Sequence, residues 1–208
     1  MKRLEKNQQT RRRIMDSALA EFAQQGYGGS SVNTICSAQG ISKGIIYHYF
    51  KTKDELYLAC VEECFRELTE YLQANVPTQG AAEAQLEGYF SARVDFFRTH
   101  PVYQPIFREA VISPPAQLTA EIQARKQAFD ALNISILERL LQSLSLRPGI
   151  TMAEVVDTFR QFQDFINAKD QIAGMSAQDF GMCDRRRKKA LDILLYGVVA
   201  REGESHVI

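Results

Sequence analysis

Apolar residues recur at helical spacing along almost the whole chain, and no stretch alternates in the way that marks a strand or hairpin. Ile14, Ala18 and Phe22, with Met15 and Leu19 beside them, form the stripe of a first helix that ends at Gly26. Tyr27 to Ser31 reads as a turn, with Ser31 capping a short second helix that points Val32, Ile35 and Cys36 inward and stops at Gly40. Ser42 caps a third helix running from Lys43 to about Tyr49. Thr52 with Glu55 three residues on is a capping box, opening a long fourth helix on Leu56, Cys60, Cys64, Leu68 and Leu72 that stops at Pro77 to Gly80. Further helices are predicted at about 82–99, 101–112 and 116–146. Two more capping boxes, Thr151 to Glu154 and Ser176 to Asp179, open helices running to about Ile172 and Arg201.

The formal net charge of zero hides an asymmetry. Residues 1–53 hold nine Lys/Arg against three acids, a balance of +6, and residues 54–208 carry −6. A basic end on an acidic body points to a polyanion partner for that end alone. The four cysteines, Cys36, Cys60, Cys64 and Cys183, lack the density of a disulfide scaffold, and the polar, Arg-rich N-terminus has no apolar core of a signal peptide. Without an apolar run of about 18 residues to span a bilayer, the expected setting is cytoplasmic, nucleoid-associated and away from membranes.

Three short helices with a tight turn at Gly40-Ile41-Ser42 make a helix-turn-helix. The third helix opens on Ser42-Lys43-Gly44, where free backbone N–H groups, a cation and a residue without a side chain suit a phosphate. One turn later Tyr47, His48 and Tyr49 bring polar-tipped rings, and Lys51 and Lys53 follow in reach of the same backbone. Arg11-Arg12-Arg13 is either a further phosphate contact or a solvated helix start.

The stretch RRRIMDSALAEFAQQGYGGSSVNTICSAQGISKGIIYHYFKTKDEL, from Arg11 to Leu56, resembles the DNA-binding end of the TetR family of transcriptional repressors, most of all in ISKGIIYHYFKTKDEL. The resemblance implies an all-α protein of about nine helices. A three-helix helix-turn-helix DNA-binding domain over 1–53 precedes a helical-bundle domain over 54–208 for effector binding and dimerisation. It makes Lys43 to Tyr49 the major-groove helix, with Lys43, Gly44, Ile45 and His48 at or beside the bases. Tyr47, Tyr49 and Lys53 fall on positions that hold the DNA backbone, as do Ser31 and Asn33. Ile45 departs from the family pattern, where Thr or Asn is frequent; it cannot hydrogen-bond a base, so contact with a thymine methyl becomes its readout. Cys36 and Gln39 replace the small alanines usual in the second helix.

So short a reader binds as two copies about one helical turn of DNA apart, or a multiple of it, which implies a palindromic operator in double-stranded DNA. The family resemblance implies a homodimer held by the last two helices, through Val155, Phe159, Phe162 and Ile166 on one and Leu191, Leu194, Leu195 and Val198 on the other. The rings of Phe65, Tyr89, Phe90, Phe97, Tyr103, Phe107 and Phe129 are core residues or, as the resemblance implies, the lining of a small-molecule effector pocket. Arg93 and Arg125 fall on the same inward stripes, where each meets an internal acid such as Glu87 or Glu109, snorkels to the rim, or meets an anionic group on the effector. The implied mechanism is repression in the free state and release on ligand binding. A DNA-binding protein of nucleoid type, with no effector, is the alternative. No nucleophile motif, dinucleotide fingerprint, paired-carboxylate signature or metal-ligand cluster appears, so neither an enzyme, a cofactor nor a metal site is expected.

Overall fold

The computed structural model describes residues 2–38, 40–142, 145–161 and 189. Its elements are α1 (Lys2–Gly29), α2 (Val32–Ala38), α3 (Lys43–Tyr49), α4 (Lys53–Asn75), α5 (Ala82–Thr99), α6 (Tyr103–Ile112), a 3-10 turn (Ala116–Leu118) and α7 (Thr119–Gln142). Residues 152–161 are helical as well. The fold is all-α, a helix-turn-helix followed by a helical C-terminal part, as the periodicity predicts. The helices predicted beyond residue 161 lie outside the described residues.

The caps carry the boundaries. Ser31 Oγ accepts from Thr34 N–H at 3.1 Å and Ser42 Oγ from Ile45 N–H at 3.3 Å. Thr52 Oγ1 accepts from Glu55 N–H at 3.0 Å, but the Glu55 carboxylate reaches past Thr52 to the N–H of Lys51 at 2.6 Å. Thr151 and Glu154 close a reciprocal box: Glu154 N–H donates to Thr151 Oγ1 at 3.3 Å and Thr151 N–H to the Glu154 carboxylate at 2.8 Å. The backbone N–H of Thr151 holds Glu154 below the ordinary carboxylate range.

The chain divides into two compact units: residues 1–68 with 97–128, and residues 69–96 with 129–208. The first unit takes in residues on both sides of the expected border at residue 53. In the first unit α6 packs against α1, so the helix-turn-helix shares its core with residues more than forty positions beyond that border. That core gathers Ile14, Ala18, Phe22, Ile35, Ile46 and Leu56 around Tyr57, whose ring meets Phe22 edge-on at 5.0 Å. The second unit buries Leu72, Leu86, Phe90, Phe129, Ile136 and Leu140, together with Val155 and Phe159 from the helical stretch 152–161.

Candidate nucleic-acid interface

Two local devices present α3. Gly40 takes φ 60°, a left-handed conformation that glycine adopts without strain, and Ile41 N–H then closes α2 on Cys36 O at 3.0 Å. Ser42, extended at φ −69° and ψ 147°, starts α3. Inside that seven-residue helix the sorting is sharp. Ile46 is wholly buried, whereas Ile45 is 43% and Tyr47 38% exposed. Lys43, Gly44 and His48 are exposed too, and no acidic residue occurs in α3. A Cβ placed on Gly44 meets no atom within 4 Å, so the fold itself has no need of glycine there. Lys43 Nζ lies 5.9 Å from the Tyr47 ring centre, and the rings of His48 and Tyr49 meet edge-on at 5.3 Å.

The other predicted contacts divide. Asn33, Ser42 and Lys51 are exposed around α3, and Ser31 is half-buried by its capping role. Tyr49 is half-buried, with its hydroxyl donating to Asn7 O of α1 at 3.3 Å. Lys53 is occupied: its ammonium donates to Tyr27 O at 2.6 Å and Ser30 O at 3.0 Å, and lies 4.4 Å from the Tyr27 ring centre. It closes carbonyls at and just beyond the C-terminal end of α1, where a cation also suits the helix dipole. Of the arginine run, Arg12 forms a fork on both oxygens of Glu63 at 3.0 Å and pairs with Asp16, while Arg11 lies over the Phe50 ring at 5.5 Å.

The residues assigned to an effector fall in both units. Phe65, Phe97 and Phe107 pack against one another in the first unit, with centroid distances of 5.7 and 5.2 Å about Phe107. Tyr103 donates its hydroxyl to buried Glu63 at 2.8 Å. Arg125, half-exposed, donates to Glu121 O at 3.0 Å and faces the Glu62 carboxylate at 3.6 Å. The second unit buries Tyr89, Phe90, Arg93 and Phe129, and there Arg93 Nη1 donates to Tyr89 Oη at 3.3 Å. Of the weighed acids, Glu87 is exposed, and Glu109 accepts from Tyr27 N–H and the Tyr57 hydroxyl. Of the dimer set, Val155 and Phe159 are buried, while Phe162, Ile166, Leu191, Leu194, Leu195 and Val198 lie outside the described residues. Two features escaped the sequence reading: the true partners of Glu109, far away in sequence, and Asn133, one polar position on an apolar helix face.

A model of the family described as bacterial regulatory proteins, tetR family, matches residues 14–60, which span α2, α3 and the flanking parts of α1 and α4. The HTH-type transcriptional repressor Rv1474c of Mycobacterium tuberculosis is 30% identical over 130 residues, 57% of this chain and 67% of that protein. The chain belongs to the TetR family. The likeness is shorter elsewhere in the family's range: IcaR of Staphylococcus epidermidis, negative regulator of the biofilm operon icaADBC, is 32% identical over 63 residues, and this chain spans 34% of its length. The TetR fold extends beyond the reader. The crystal structure of FadR from Bacillus subtilis in complex with stearoyl-CoA superposes with a TM-score of 0.63 over 83% of this chain and 95% of that one, at 17% identity. Among the described residues no helix of this TetR-family chain is long and apolar enough to cross a membrane. No group of three or more His, Cys, Asp or Glu among them is placed to hold a metal ion.

Proposed function

We propose that this protein is a ligand-responsive transcriptional repressor that binds a palindromic operator as a homodimer and leaves it when a small, largely apolar effector binds. The observation that carries the reading is the composition of the exposed face of α3: Lys43, Gly44, Ile45, Tyr47 and His48 stand in solvent on a helix with no acid. Two large apolar or aromatic side chains on a helix of seven residues are costly to leave in water, and a Gly that the fold does not need costs helix stability. Both features fit a major groove, with Lys43, Gly44, Ile45 and His48 at the bases and Tyr47, Tyr49, Lys51, Ser31 and Asn33 at phosphates.

FadR of Bacillus subtilis, of the same fold, was crystallised with stearoyl-CoA, and Rv1474c and IcaR, similar over part of their length, are a transcriptional repressor and a negative transcriptional regulator; these likenesses support repression and a ligand for this chain. In this reading the dimer forms through the stripes predicted beyond residue 161, since Val155 and Phe159 are buried within the chain itself, and the ligand favours a dimer whose readers no longer match the groove spacing. Selection of bound fragments from a random double-stranded DNA pool, followed by footprinting, tests it. One palindromic consensus with a footprint confined to it is expected; a pool recovered without consensus overturns operator recognition in favour of non-specific binding.

A further inference from the structure

α1 is helical from Lys2, yet from Glu5 to Arg13 none of its residues is buried, and Ile14 opens its contribution to the core. Residues 2–13 therefore form an overhang of about 18 Å, at roughly 1.5 Å per residue. A helix this short is marginal in water when no core supports it, and Asn7 and Thr10 are poor helix formers. The Thr10 hydroxyl turns back onto Lys6 O at 2.9 Å, a bond that adds little to helix stability. Burial in the first unit does not account for the order of this segment.

Three contacts pin it to α3 and α4. Tyr49, at the end of α3, donates its hydroxyl to Asn7 O at 3.3 Å. The Arg11 guanidinium lies over the ring of Phe50, the C-cap residue of α3, at 5.5 Å. Arg12 forks onto both oxygens of Glu63 in α4 at 3.0 Å and pairs with Asp16 as well. Arg11 and Arg12 thus act inside the protein, as pins. The cations ahead of them have a different setting. Residues 2–9 carry Lys2, Arg3 and Lys6 against Glu5 alone, a balance of +2. Lys6, Gln8 and Gln9 are exposed, and Lys and Gln are side chains that proteins set on phosphates.

We propose that residues 2–10 are a second DNA-contacting element, held against the end of α3 by Tyr49 and docking through their cations on phosphates beyond the half-site that α3 reads. The occupant is the same duplex, because the overhang is itself basic and adjoins a reading helix on which no acid occurs. The inference rests on the reading of α3 as the DNA reader. A reach of about 18 Å covers up to about five base pairs at roughly 3.4 Å each, so the contact falls on flanking DNA. Phosphate contacts carry no base identity, so the flank is gripped without being read.

The test uses the full chain and two duplexes, the operator selected from random DNA and the same operator lengthened by about six base pairs at each end. The wild-type protein is expected to bind the longer duplex about tenfold tighter at low salt, and deletion of residues 2–9 to erase that preference while the selected consensus stays the same. Lys6→Gln, which remains informative should the deletion disturb α1, is expected to flatten the plot of log affinity against log salt on the longer duplex by about one unit for each bound copy, and not on the shorter one. Tyr49→Phe keeps every charge and removes the clasp, so it is expected to cut the preference about threefold. A preference that survives the deletion, or an unchanged slope for Lys6→Gln, overturns the proposal. Equal losses on the two duplexes for Tyr49→Phe place its hydroxyl at a phosphate inside the half-site and overturn the clasp. Should no consensus emerge from the pool, operator recognition by α3 fails, and the slope of Lys6→Gln on a random-sequence duplex decides the overhang by itself: flattening by about one unit sustains the phosphate contact, and no change overturns it.

Discussion

Glu109 of α6 holds the backbone N–H of Tyr27, with its carboxylate oxygens at 3.0 and 3.1 Å. The bond has a local cause. Gly26 breaks the helical ladder of α1 at φ 67° and ψ 176°, which turns the next N–H out of the helix and leaves it without an i−4 partner. The same carboxylate accepts from the hydroxyl of wholly buried Tyr57 at 2.9 Å, and burial, then the Glu109 charge, push that phenol far above its ordinary range.

Replacing Glu109 is therefore expected to destabilise the helix-turn-helix although the residue lies more than fifty positions beyond α3. Glu109→Ala leaves two donors without their acceptor, and a loss of about 3 kcal/mol is expected. Glu109→Gln keeps one oxygen but sets an N–H against another, and about 1–2 kcal/mol is expected. Urea unfolding of both variants measures this. An alanine variant within about 0.5 kcal/mol of wild type would show that water replaces the carboxylate without loss.

This pair marks the limit of what the sequence discloses. Repeats of three and four residues place Ile14, Ala18 and Phe22 in the core, and Ser31, Ser42, Thr52 and Thr151 are legible as caps because both partners of each bond lie within one turn. The exposed face of α3 is legible for the same reason, since it is what Ile46 leaves when it turns inward. Glu109 with Tyr27, Arg12 with Glu63 and Tyr89 with Asn133 join residues 82, 51 and 44 positions apart, and no local pattern encodes such a partner. Lys53 shows a structural role that its motif position does not encode: its ammonium donates to Tyr27 O and Ser30 O.

The thiols of Cys60 and Cys64, one turn apart on α4, are expected to be inert in the native protein. Both are buried, and burial is the main cause that pushes each thiol well above its ordinary range, so thiolate is scarce at neutral pH. Cys36 is half-exposed. Brief iodoacetamide treatment at about pH 8, where an unperturbed thiol begins to ionise, followed by peptide mass spectrometry, is expected to label Cys36 and spare the pair. Labelling of Cys60 or Cys64 at the rate of Cys36 would show that the pair is reactive and open to redox chemistry.

Lys51 and Lys53, two residues apart, are expected to separate DNA contact from stability. Lys53→Ala removes two ammonium–carbonyl bonds and a contact with the Tyr27 ring, which is expected to cost about 1–2 kcal/mol of stability. Lys51 is exposed, with only its backbone N–H engaged, so Lys51→Ala is expected to leave stability within about 0.5 kcal/mol. If Lys51 neutralises a phosphate, its loss flattens the plot of log affinity against log salt by about one unit. Operator titrations at several salt concentrations, set beside urea unfolding, read both effects. An unchanged slope for Lys51→Ala removes that residue from the interface.

Ile45 offers the sharpest test of α3 as the reader, because its role in folding is so small. Its side chain is 43% exposed, and the bonds that anchor its position come from its backbone N–H, to Ser42 O at 3.0 Å and Ser42 Oγ at 3.3 Å. Ile45→Asn keeps both bonds, so stability is expected to change by less than about 0.5 kcal/mol. At a base edge the two side chains differ in kind: isoleucine offers apolar contact to a thymine methyl, and asparagine offers a donor and an acceptor that pair with adenine. A specific contact of that sort discriminates by about 1–3 kcal/mol, tenfold or more in affinity. Selecting DNA from one random pool with both proteins is therefore expected to change the consensus at one position in each half-site and leave the rest intact. Identical consensus sequences with equal loss of affinity at all of them would take Ile45 out of base reading and leave α3 contacting DNA through Lys43, Tyr47 and His48 alone.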